Sequence, residues 1–134
     1  MRLQAQIDRQ IHEYDRQRPR KKFVGARAED RFKDYEEEWR RKVERAGRDN
    51  FPVDERGSIY GSLRLTVSIR SDGSLQSIDL DRSSGNKALD RAEFAIVRQA
   101  SPFPPFPPDI AKDYDLLVIT RTWFFGRSNE VRAE

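Results

Sequence analysis

The chain has no cysteine among its 134 residues. Disulfide staples and thiolate chemistry are therefore excluded. The absence does not fix a compartment, although it is compatible with an oxidising one. His12 is the single histidine, so a metal site built on imidazoles has no second ligand of that type. Long apolar runs are missing too. No stretch approaches the roughly 18 apolar residues that cross a bilayer, and no signal-peptide pattern is visible. The expectation is a cytosolic protein or a soluble piece of a longer one. No phosphate-binding loop, G-x-G-x-x-G or metal-ligand spacing is present. Ser84-Gly85-Asn86-Lys87 matches S-x-x-K, but its partner motifs S-D-N and K-T-G are missing. Asp79 and Asp81 share one face of a predicted strand. That face is solvent-facing, with no cleft to shift a carboxyl group into acid–base use. The chain reads as a binding or mechanical module, not an enzyme, with no cofactor.

What is abundant is charge, at 37 % of residues against 36 % hydrophobic. That is polar for a packed domain. The net charge of +3 is unevenly spread. Residues 1–48 hold fifteen Lys/Arg against ten Asp/Glu, a balance of +5, and the remainder eleven against thirteen, a balance of −2. The basic excess thus lies on the N-terminal arm.

The strongest local signal is a hairpin over residues 62–81. Leu63, Leu65, Val67 and Ile69 alternate with Arg64, Thr66, Ser68 and Arg70, which puts the aliphatics on one face of a strand. Ser71-Asp72-Gly73-Ser74 follows, and Asp-Gly between apolar runs predicts a type I′ turn. The return strand carries Ile78 and Leu80 inward. Leu75 is out of phase with them, which predicts a bulge near Gln76. A lone hairpin is marginal, so other elements must cover its apolar face.

Around it the chain reads in order. Leu3, Ile7, Ile11 and Tyr14 form a thin helical stripe on a polar segment. Arg18 to Lys22 is a basic cluster read as a charged linker, because no aromatic platform for single-stranded nucleic acid accompanies it. Phe32, Tyr35, Trp39, Val43 and Ala46 recur at helical spacing, acidic residues early and basic ones late. Gly47 is the expected residue just beyond the helix end. Asn86 is the expected N-cap of a second helix that buries Leu89, Ala92, Ile96, Val97 and Ala100. Ser101 to Pro108 holds five prolines and reads as a stiff crossover whose Phe103 and Phe106 cover the core edge. Leu116 to Phe125 is the last strand, apolar on both parities. If it lies at a sheet edge, its unpaired main-chain groups are either protected or used. Residues 126–134 read as a frayed tail.

These segments together resemble one family. Trp39-Arg40-Arg41-Lys42-Val43-Glu44, Asn50-Phe51-Pro52, Tyr60-Gly61-Ser62-Leu63, Asp72-Gly73-Ser74, Ser83-Ser84-Gly85-Asn86, Leu89-Asp90, Ala100-Ser101-Pro102-Phe103 and Thr120-Arg121-Thr122-Trp123 stand in the order and spacing of the C-terminal domain of TonB, the energy transducer of Gram-negative bacteria. The resemblance implies an α+β fold, two helices on one face of a three-stranded antiparallel sheet in the order α-β-β-α-β. It divides the chain into a polar, basic stalk over residues 1–33, the domain over 34–126 and a tail over 127–134. It implies a periplasmic domain whose full-length protein is anchored in the inner membrane and driven by ExbB and ExbD. Family members grip the TonB box of outer-membrane receptors by strand addition to the last strand. The docking edge is therefore expected at Leu117, Ile119, Arg121 and Trp123. Arg48, Asn50, Phe51 and Pro52 are expected to form a receptor-contact loop, Asn50-Phe51-Pro52 standing where the family's best-known pattern is Q-Y-P. The alternative is a self-associating homodimer through the same strand. No nucleic-acid partner is expected.

Overall fold

The computed structural model describes residues 19–25 and 29–134. The helical stripe of residues 3–14 and His12 lie outside these. The elements are β1 (Lys21–Val24), α1 (Asp30–Asp49), β2 (Val53–Asp54), β3 (Gly57–Ser58), β4 (Gly61–Arg70), β5 (Leu75–Arg82), α2 (Lys87–Ala100), α3 (Pro108–Ala111), β6 (Leu116–Gly126) and β7 (Glu130–Ala133). The fold is mixed α+β, but its main sheet has five strands, not three. Their order is β1-β6-β4-β5, with β7 also paired to β6. β2 and β3 form a separate small ribbon.

The predicted hairpin is present as β4 and β5, antiparallel to each other. Leu63, Leu65, Val67 and Ile69 are all fully buried, as the alternation requires. The register moves from Ser68 opposite Ser77 to Ile69 opposite Leu75, so the extra residue of the bulge is Gln76. The turn differs from type I′. Gly73 alone has positive φ, at 89°, and Asp72 instead folds its carboxylate onto the Ser74 amide at 2.9 Å. The Gly73 carbonyl accepts from the Phe103 amide at 2.8 Å. A Cβ on Gly73 would sit 1.9 Å from the Phe103 carbonyl oxygen. Gly73→Ala is therefore expected to lose at least about 1–3 kcal/mol from the backbone conformation alone, read as a lower urea midpoint, with the clash adding to it.

α1 lays Phe32, Tyr35, Trp39 and Val43 into the core. The helix runs on past Gly47 to Asp49, and Asn50 closes it through its amide side chain, which donates to the Ala46 carbonyl at 3.0 Å. Gly47 is thus not the helix terminator. It is helical, and its missing side chain lets Val131 of β7 approach, the Val131 methyl lying 3.1 Å from where a Cβ would stand. Asn86 caps α2 as expected, accepting from the Ala88 and Leu89 amides. The proline-rich crossover buries both Phe103 and Phe106. Its carbonyls at Pro102 and Pro104 accept from Lys42 and Tyr35 of α1. It is a strut of the core, as the stiff-crossover reading expects.

Both ends of the described chain depart from the expected architecture. Lys21–Val24, expected in a polar stalk, pairs parallel to β6 over Leu116–Ile119. Residues 130–133, expected in a frayed tail, pair antiparallel to β6 over Trp123–Gly126. The turn into β7 uses Ser128 and Asn129 at φ of 61° and 55°. Non-glycine residues rarely take that conformation, asparagine more often than most, and no glycine stands at either position to mark the turn.

Candidate functional site: the edge of the last strand

β6 pairs with β4 along ten residue positions, from Leu116 opposite Arg70 to Phe125 opposite Gly61. Side chains alternate between the two faces of a strand, and main-chain groups alternate between its two edges. Leu117, Ile119, Arg121 and Trp123 all point into the core and are buried. The main-chain groups aimed away from β4 belong to the even-numbered residues. The Leu116 amide donates to the Arg20 carbonyl at 3.1 Å, and Thr122 exchanges two 2.8 Å bonds with Glu134. Between them, Val118 and Thr120 face β1.

The expectation of a free docking edge is therefore corrected on two counts. The outer edge of β6 is filled, over Leu116–Ile119 by β1 and over Trp123–Gly126 by β7. The residues that present that edge are Leu116, Val118, Thr120 and Thr122, not the four odd-numbered ones. Strand alternation was the available signal. A strand apolar on both parities does not say which parity faces the helices.

Arg121 holds the middle of this arrangement. Its guanidinium pairs with Glu36 of α1 and donates to the carbonyls of Thr120 at 2.7 Å and Gly25 at 2.9 Å. Both partners of the ion pair are buried. Burial lowers the Arg121 pKa, but arginine remains charged at any physiological pH. Glu36 stands four residues after Phe32 and three before Trp39, on the apolar stripe of the helix. A lone carboxylate in that position was the sequence sign of a buried partner.

Two members of the basic cluster, Arg20 and Lys22, are engaged within the domain. Arg20 pairs with Asp115 at 3.1 Å, and its side chain also donates to the Lys112 carbonyl at 2.8 Å. The hydrogen bonds from Arg20 hold the Asp115 carboxyl below its ordinary range. Lys22 lies 3.6 Å from Glu29 and over the ring of Phe32.

The expected contact loop is split between surface and core. Arg48 and Asn50 are exposed, Phe51 is half-buried and Pro52 is buried. Phe51 packs on Phe125 at 5.8 Å and on Tyr60 at 6.1 Å between ring centroids. Tyr60 is half-exposed, so it extends the aromatic surface that Phe51 begins. Tyr60 is not among the expected contact residues, although it stands in the family-like stretch Tyr60-Gly61-Ser62-Leu63.

One buried group belongs to no site. Glu93 of α2 is fully buried, and neither carboxyl oxygen has a hydrogen-bond partner among the described residues. Burial raises its pKa well above the ordinary value of 4.5. A raised folded-state pKa means that stability is fully present at low pH and falls as pH rises from the unfolded value toward the folded one. Glu93→Gln is expected to raise the melting temperature at about pH 8 and to leave it nearly unchanged at about pH 4. Calorimetry at the two pH values checks it, and equal shifts at both would show that ionisation of Glu93 plays no part.

Among the described residues no helix is long and apolar enough to cross a membrane, and no group of His, Asp and Glu is placed to hold a metal ion. A family model described as TonB C terminal matches residues 36–119. That span runs from the Glu36 of the buried ion pair to the end of the β1 seam on β6. The chain belongs to this TonB C-terminal family. Searches among curated proteins and among solved structures return no match.

Proposed function

We propose that this chain carries the periplasmic receptor-binding domain of a TonB-type energy transducer, with no catalytic step of its own. It grips the TonB box of outer-membrane transporters by strand addition at the β6 edge. It passes on mechanical work delivered by an inner-membrane complex of the ExbB–ExbD kind. Family membership over residues 36–119 carries the reading. One general property of strand addition and one feature of the fold favour it. Strand addition uses main-chain bonds and accepts many sequences, so one transducer can serve several transporters. The outer edge of β6 is closed only by two strands of four residues each. Arg48, Asn50, Phe51 and Pro52 form the second contact, with Tyr60 beside them. Self-association through β6 is the alternative reading, and it too requires the edge that β1 and β7 fill.

The test is an NMR titration of the labelled chain with a synthetic peptide of a transporter's TonB box. Chemical-shift changes are expected along Leu116–Phe125 and at Arg48–Pro52. A peptide that leaves both unmoved in a monomeric sample, even after β1 has been dislodged as described below, would falsify strand addition at this edge.

A further inference from the structure

We infer that β1 is an intramolecular strap on the partner-binding edge of β6, a place-holder that must leave before another strand enters. This deepens the proposed function and rests on it, adding a regulatory step to the same site.

The pairing itself carries the inference. Lys21, Lys22, Phe23 and Val24 stand opposite Leu116, Leu117, Val118 and Ile119 in parallel register. These are the bonds an incoming parallel strand would make. The seam is short, four positions against ten between β6 and β4. Of its side chains only Val24 is buried, while Phe23 is 73 % exposed on the outer face. Burial of one valine contributes little next to the cost of ordering a strand. The strap is instead held at its ends. Arg20 clamps Asp115 and the Lys112 carbonyl ahead of it, and Arg121 donates to the Gly25 carbonyl behind it. Main-chain pairing accepts many sequences, so a partner strand can compete with β1 for the same bonds. β1 has the advantage of being tethered, which acts as a high effective concentration. The apparent affinity of a partner is then reduced by the fraction of chains whose edge is open.

The template also says what the partner strand needs. The position over Ile119 takes an aliphatic residue directed inward, as Val24 is. The preceding position, over Val118, points to solvent and tolerates any side chain.

Two variants of the full chain test this. Val24→Asp places a charge where the strap must be apolar, and should release β1 while leaving the β4 seam intact. The Val118 amide is then expected to exchange with solvent at least about tenfold faster, and the Ile119 amide, which bonds toward β4, at its former rate. A peptide of residues 19–25 added in excess should restore the protection of Val118. Unchanged Val118 exchange in a folded Val24→Asp chain, or no restoration by the peptide, overturns the strap. The second variant, Phe23→Cys with Val118→Cys, joins facing positions in a chain with no other cysteine. Oxidation should abolish binding of a TonB-box peptide and reduction should restore it, with Val24→Asp binding at least about tenfold tighter than the parent. Equal binding by oxidised and reduced chains overturns the strap and leaves the proposed function standing. Binding by none of these chains, with Val118 released and re-protected as expected, counts against the proposed function, and the strap stands as an intramolecular lock.

Discussion

Trp39→Ala is expected to cost about 3–5 kcal/mol of folding stability. Trp39 is fully buried near the middle of α1. It meets Trp123 of β6 at 5.6 Å and Phe103 of the proline-rich crossover at 6.2 Å between centroids, both edge-to-face. One side chain thus joins helix, sheet and crossover. Its removal leaves a cavity between three elements that cannot all close in. The indole N–H has no hydrogen-bond partner among the described residues, so Trp39→Phe, which drops that group and keeps an aromatic ring, should cost much less. Urea unfolding measures both. An alanine variant that unfolds at the parent's midpoint would refute the placement of Trp39 in the core.

Arg121→Ala is the second substitution with a large expected effect, again about 3–5 kcal/mol. The loss is not that of a favourable contact alone. It strands the Glu36 carboxylate in the interior and takes the side-chain donor from the Gly25 carbonyl. The two consequences separate experimentally. Replacing both members, Glu36→Leu with Arg121→Met, should recover most of the stability, because a buried pair replaced by apolar residues of similar size is often neutral. The double variant should still lack the Gly25 bond, and the Val118 amide should exchange faster in it than in the parent. If Arg121→Ala and the double variant were equally destabilised, the buried-charge account would be wrong.

Much of the fold was legible because it rests on local periodicity. The alternation of Leu63 to Ile69, the helical stripe from Phe32 to Val43 and the cap at Asn86 each declare themselves within a few residues. The Gln76 bulge followed from a single residue out of phase. What escaped was non-local. Lys21–Val24 carries only one residue that needs burial, so no pattern distinguishes it from linker. It is a strand because β6 offers it a partner 95 residues further on, where Arg20 meets Asp115. β7 escaped for a related reason. Val131 is its one buried anchor, and the groove that receives it exists only because Gly47, in a distant helix, has no side chain. Gly47 itself was misread since a glycine late in a helix is commonly its end. At the candidate site, the parity of the last strand was misread. Leu117, Ile119, Arg121 and Trp123 were chosen as an edge and serve as a core.

The sheet is also unequal in mechanical strength, and the inequality has a direction. Residues upstream of Pro19 join the domain through β1. A load applied there meets the Arg20 clamp on Asp115 and then the four-position seam on β6. Peeled from Lys21 toward Val24, that seam opens one rung at a time. The ten-position seam between β4 and β6 carries no tension until residues 19–25 are drawn out, a run of about 23–25 Å at full extension. β1 is in this respect a fuse. A weak pull is absorbed as length, and only a sustained one reaches β6 and the seam behind it.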